Sequence, residues 1–109
     1  MSDWPMTDKI VWREYLRHVR EVLRDRHGVK EQVRVWRVDY RSLYGTTRKR
    51  DRRTFVVKIA NRLDFSDAMW TLFHELGHVL SWGLEKEQHG AVFGMSEAAM
   101  IREWEAWAA

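Results

Sequence analysis

Apolar residues recur at Val11, Trp12, Tyr15, Leu16, Val19, Val22 and Leu23, the spacing of one buried helical face. A helix is predicted there, capped by Thr7 or Asp8 and stopped by Gly28, with Arg13, Arg17, Arg20 and Arg24 on its other side. Residues 32–39 (QVRVWRVD) alternate as a strand does, although Trp36 breaks the strict pattern and suggests a bulge or a two-sided strand. Residues 42–47 and 54–59 are two further strand candidates. They flank Arg48-Lys49-Arg50-Asp51-Arg52-Arg53, which is too polar to bury itself and reads as the tip of a hairpin.

Ser66 is a suitable N-cap for a helix over residues 67–82, which Gly83 ends. After a short connection at residues 84–88 comes His89. Residues 91–108 then form a last helix with apolar positions at Phe93, Met100, Ile101, Trp104 and Trp107. The order helix, strands, helix, helix is that of one α+β unit. No internal repeat, linker or low-complexity segment divides it, so residues 1–109 are expected to form a single domain.

Composition agrees and narrows the chemistry. With 45% hydrophobic residues and 7 Trp among 109 residues, the chain has ample apolar surface to fold. It has no cysteine, which excludes disulfides, thiolate zinc sites, iron-sulfur clusters and cysteine nucleophiles. Any metal must therefore sit on His, Asp or Glu. Residues 1–5 lack the apolar stretch of a signal peptide and no run of 18 apolar residues occurs, so a soluble, cytoplasmic, monomeric protein with no membrane partner is expected. The net charge of +3 conceals a division. Residues 1–62 hold 17 Lys+Arg against 8 Asp+Glu, or +9, and residues 63–109 hold 2 against 8, or −6. The basic half fits an anionic partner, nucleic acid above all, or simply solvated outer faces of a basic sheet and helix.

The predicted third element contains His74-Glu75-Leu76-Gly77-His78, an HExxH pattern. On a helix, residues four apart are separated by about 6 Å of rise and about 40° of rotation, so both imidazoles can reach one metal ion. Glu75 lies about 100° round from His74, close enough to take a proton from water at that metal without filling a ligand position. Leu72, Phe73, Leu76, Val79 and Leu80 make the helix largely buried, where a His-Glu-His group without a ligand is costly. The alternative is a helix whose two His and one Glu face solvent or satisfy one another.

A catalytic zinc site needs a third protein ligand. His89, Glu97, Glu103 and Glu105 compete for the role. His89 opens the next helix after a short loop and so can fold back over the first two imidazoles. A glutamate would instead make a two-His, one-Glu, gluzincin-type site, which the spacing also permits.

The segment His89-Gly90-Ala91-Val92-Phe93, following the HExxH helix, resembles the HGxxF signature of the SprT-like zinc metalloproteases. Upstream, residues 43–47, a basic turn and residues 55–59 resemble the strand pair that precedes the HExxH helix in short, phage-encoded members. The resemblance covers roughly residues 33–105. It implies a minimal zincin-like α+β domain: an N-terminal helix, a small three-stranded sheet, an active-site helix and a C-terminal backing helix. It further implies that His74, His78 and His89 bind Zn2+, and that peptide bonds are hydrolysed by zinc-activated water with Glu75 as general base. The substrate would be a protein or peptide, DNA-associated proteins included, held in extended form along an edge strand for which residues 54–59 are the nearest candidate. The chain departs from the family in two ways. The last helix holds no further residue matched to a role, and the C-terminal zinc ribbon of many relatives cannot be built without cysteine.

Arg48, Lys49, Arg50, Arg52 and Arg53 would form a cationic tip for DNA, reinforced by the arginines of the first helix. The competing function is a nucleic-acid-binding or host-interaction protein whose metal site is vestigial or structural. Trp12, Trp70, Trp82 and Trp104 sit at or beside apolar helical positions and are expected in the core rather than as base-stacking platforms. His18 and His27, with no partner at metal spacing, are expected at the surface.

Overall fold

Thr54 to Ala60 (TFVVKIA) is almost continuously buried, and a strand of that kind needs a partner at both edges. It becomes the middle strand. The computed structural model describes residues 3–84 and 88–109 and has the order α1 (Met6–Asp25), β1 (Gln32–Val38), β2 (Gly45–Asp51), β3 (Thr54–Ala60), α2 (Phe65–Ser81) and α3 (Ala91–Ala108). The strands lie in the order β1-β3-β2, with β1 parallel and β2 antiparallel to β3. The polar strand β2 (GTTRKRD) takes an edge, where its charged side chains can stay in water.

This arrangement corrects two expectations. The tract from Arg48 to Arg53 is not a hairpin tip: Arg48, Lys49, Arg50 and Asp51 belong to β2, and only Arg52 and Arg53 make the turn. Pairing with β3 satisfies the backbone of the tract while its side chains alternate outward, so polarity did not require a loop. Of the two readings at Trp36, the bulge does not occur: the irregularity in the sheet falls between Lys49 and Asp51 of β2, and Trp36 sits within a regular register of a strand buried at Val33 on one face and partly buried at Val38 on the other.

One side of the sheet carries the helices. Val33, Phe55, Val57 and Ile59 join Leu72, Phe73 and Leu76 of α2, Tyr15 and Val19 of α1, and Met100 of α3 in one core. Tyr15, fully buried, ties the three helices together by edge or tilted contacts to Phe73, Trp104 and Trp107 at centroid separations of 6.4, 5.0 and 5.3 Å. Trp4, ahead of α1, is also core. Its Nε1 donates to the Leu63 carbonyl at 3.0 Å, and the Arg37 guanidinium stacks on its ring at 3.6 Å. No helix among the described residues is long and apolar enough to cross a membrane.

The helix ends differ in detail from their expected caps. Pro5 precedes α1, placing Thr7 and Asp8 inside its first turn, where the Asp8 charge suits the helix dipole. Gly28, at φ 69°, lets the chain double back so that Val29 N–H reaches the Leu23 carbonyl at 2.9 Å. The N-cap of α2 is Asp64, not Ser66: its carboxylate accepts from the Asp67 N–H at 2.8 Å. Gly83 follows α2 with φ 73°, as a helix stop. The expected connection at 84–88 falls largely on residues 85–87, which lie outside the described residues.

Trp12 is buried as expected, whereas Trp70 and Trp82 are 58% and 43% exposed. Their neighbours on α2 face the sheet and α3, and the helix turns these two indoles past that boundary. His27 is exposed, and His18 is half-buried, stacked on Trp107 at 5.9 Å. The capping assignment has a direct consequence. Asp64→Ala is expected to lower stability by about 0.5–2 kcal/mol in urea or thermal unfolding, while Ser66→Ala, at an exposed position past the cap, stays within about 0.5 kcal/mol of the parent.

Candidate metal centre

The helical repeat brings His74 and His78 onto one side of α2, and the start of α3 returns His89 to them. The three ring centroids form a nearly equilateral triangle with sides of 5.0, 5.0 and 4.9 Å. Phe93, one turn after His89, lies 4.9, 4.4 and 4.9 Å from the three rings and supports them from the protein side. One nitrogen of each imidazole lies within 4.8 Å of the other two, close enough for all three to hold one metal ion. The pair His78 Nε2 and His89 Nε2 is 3.2 Å apart. Two nitrogens bound to one tetrahedral ion at about 2.05 Å are separated by about 3.3 Å, so the His78–His89 pair fits such an ion with little movement.

Electrostatics favour the ligand form of His78. Burial, followed by the neighbouring His74 and His89, pushes His78 down to about 4, which leaves it neutral at neutral pH. His74 Nδ1 lies 3.0 Å from Glu97 Oε2. A carboxylate accepts, so Nδ1 carries the proton and Nε2 keeps its lone pair. The other candidate third ligands are engaged or placed elsewhere. Glu97 orients His74, Glu103 forms an ion pair with Arg26 at 2.9 Å, Glu105 is exposed on the last turns of α3, and His89 completes the cluster.

Glu75 meets Thr47 of β2 at the sheet, lies within the electrostatic reach of His74 and His89, and is only 6% exposed. Burial raises its pKa; Thr47 by hydrogen bonding, and His74 and His89 by charge, oppose that rise. Thr47 Oγ1 lies 2.7 Å from Glu75 Oε1 and 3.0 Å from the Glu75 carbonyl, and donates to the nearer carboxylate oxygen. The carboxylate borders an open depression of about 450 Å3 between Tyr44, Gly45, Trp70, Thr71, His74 and Glu97. A larger hollow of about 810 Å3, at the end of the sheet near Gly28 and Arg53, holds no group of this site.

Two glycines permit this geometry. A Cβ at Gly77 would stand 3.1 Å from Phe93 Cε1 and 3.2 Å from the Glu97 backbone, so α3 lies directly against that position of α2. A Cβ at Gly45 would stand 2.8 Å from Thr71 Cγ2 and 2.9 Å from the Lys58 carbonyl. The sequence shows Glu97 only as a candidate ligand, and nothing local to Gly45 and Thr47 relates them to a helix some thirty positions away.

Residues 54–59 cannot serve as the edge strand beside the site, because β3 lies between β1 and β2. The edge on the Glu75 side is β2. The basic tract is likewise divided: Arg48 and Arg50 are exposed, whereas Lys49 sits near the Phe55 ring and 3.1 Å from Glu31.

Gly77→Ala is expected to separate α3 from α2, lowering stability by about 1–3 kcal/mol in chemical unfolding and weakening metal retention against a chelator. Gly94→Ala, whose added methyl meets nothing within 4 Å, is the matched control: it is expected to raise stability by about 0.4–1 kcal/mol through helix propensity and to leave metal retention unchanged. No protein-family model, curated protein or solved structure matches this chain.

Proposed function

We propose that this chain is a zinc-dependent metallopeptidase, an endopeptidase of the SprT-like kind, with His74, His78 and His89 as ligands and Glu75 as general base. The observation that carries this reading is the convergence of three imidazoles beside a buried carboxylate that borders an open depression. A structural zinc site is ordinarily closed by four protein ligands, and a three-histidine cluster whose His74, together with Glu75, lines an accessible hollow suits a catalytic site better. A bound zinc would supply Lewis acidity toward a peptide carbonyl and acidify a water to near neutral pH.

The chain's own groups do the rest. Glu75 takes the proton from the attacking water and returns it to the leaving amine nitrogen. Thr47 holds the Glu75 carboxylate by its hydroxyl, and Glu97 fixes the His74 ring with Nε2 toward the other ligands. The outer edge of β2 offers unpaired backbone groups to a peptide in extended form, beside the Glu75 carboxylate. A gluzincin-type site is disfavoured because Glu97 and Glu103 are engaged elsewhere.

Elemental analysis and casein hydrolysis test this reading together. Purified protein is expected to hold one zinc per chain. Glu75→Gln should keep the metal and lose activity by about 10²–10⁴-fold, whereas alanine at His74, His78 or His89 should lose the metal. A folded protein that never takes up zinc, or a Glu75→Gln variant with full activity, overturns the proposal. Full zinc in His89→Ala removes His89 as a ligand.

Thr47 adds a pH signature. Its hydroxyl helps keep Glu75 ionised, so Thr47→Val should raise the pKa of the carboxylate and displace the acidic limb of kcat/KM to higher pH. Thr47→Ser, which retains the donor, should leave that limb in place.

A further inference from the structure

Residues directly opposite one another in paired strands point to the same side of a sheet. The registers Arg34↔Val56↔Arg48 and Trp36↔Lys58↔Thr46 therefore place Arg34, Arg48, Lys58 and Trp36 on one face. It is the face turned away from the helices. Val33, Phe55, Val57 and Ile59 on the other face belong to the core, while Arg34, Trp36 and Arg48 are exposed. Thr47 points inward to Glu75, so this outer face and the three-histidine site lie on opposite sides of the sheet.

The face has two properties that folding alone does not require. First, Arg34, Arg48 and Lys58 make no ion pair among the described residues, although Lys49 and Arg50 beside them are paired with Glu31 and Asp51. Neighbouring like charges on three adjacent strands repel, a cost that a bound polyanion reverses. Second, Trp36 stands 43% exposed among these cations while Val56, between Arg34 and Arg48, is buried to 4%. An indole on a flat basic surface is suited to stack on a planar ring.

We propose that the outer face of the sheet binds single-stranded nucleic acid, with phosphates on Arg34, Arg48 and Lys58 and a base stacked on Trp36. A duplex keeps its base faces inside the stack and gives the indole nothing to cover, whereas a single strand presents both phosphates and bases. An acidic peptide would answer the charges and leave Trp36 unused. This binding function is separate from peptide hydrolysis and does not depend on it.

Fluorescence anisotropy of a labelled oligothymidine of about 16 nucleotides, titrated with the full chain across a salt series, tests the inference. Three phosphate contacts predict a slope of log affinity against log salt near about −2, at about −0.7 per contact. Arg48→Gln should make that slope shallower by about 0.7. Trp36→Ala should weaken binding by at least about fivefold, and Trp36→Phe should recover most of the loss. Should Trp36→Ala lose its fold by circular dichroism, Trp36→Leu, which keeps apolar volume without a ring, takes its place. Absence of salt-sensitive binding, an unchanged affinity on removing the ring, or equal affinity for a duplex or polyglutamate overturns the inference. Zinc content, read in parallel, should be the same in every variant because the two faces are separate.

Discussion

The close contact of α3 with α2 at Gly77 is the constraint on which the site depends. Because residue 77 has no side chain, the Phe93 ring and the Glu97 backbone occupy the space a Cβ would need. Three consequences follow from that one approach. His89 comes within 3.2 Å of His78, Phe93 reaches all three imidazoles, and Glu97 meets His74 Nδ1. Side chains four apart on one helix can supply two ligands by themselves, but a third must come from elsewhere in the chain, and its position is only as well defined as the packing that holds it. The contacts of Tyr15 with Trp104 and Trp107 anchor the far end of α3 and so serve the same geometry.

A second close approach, at Gly45, performs the corresponding task for the carboxylate. Burying an ionisable group costs free energy unless polar partners meet it. Glu75 lies in the seam between α2 and β2, with the Thr47 hydroxyl donating to it from the edge strand and the histidines beside it. The polar sequence of β2 thereby acquires a purpose on each face: Gly45 and Thr47 complete the inner site, and Arg48 extends a basic outer surface. The division of charge along the chain follows the same boundary. The basic half forms α1 and the sheet, and the acidic half forms the two helices that carry the histidines.

Much of this was legible in the sequence wherever the governing contacts are local. HExxH placed on a helix defines two candidate ligands and a neighbouring carboxylate because helical geometry relates residues one to four apart. The amphipathic face of α1, the glycine stops at 28 and 83, and the existence of three strands follow from periodicity and backbone freedom of the same short range. Competing local signals were harder to separate. Ser66 and Asp64 both suit an N-cap, and the hydrogen bond to Asp67 selects Asp64. The arginine-rich tract is polar enough for a turn, yet it pairs as a strand because the middle strand beside it requires a partner on each edge.

By itself, then, the sequence determined the elements, the His74-Glu75-His78 group and the restriction of any metal to His or carboxylate ligands, since each rests on residue chemistry or on contacts within one turn. Tertiary structure alone decided the rest. It placed β3 between β1 and β2, left Trp70 and Trp82 at the surface, turned Glu97 from a possible ligand into the partner of His74, and brought Thr47 to Glu75. Each of these depends on where distant segments come into contact, and that is settled by how all the apolar faces are buried together, with no single stretch of chain carrying the information.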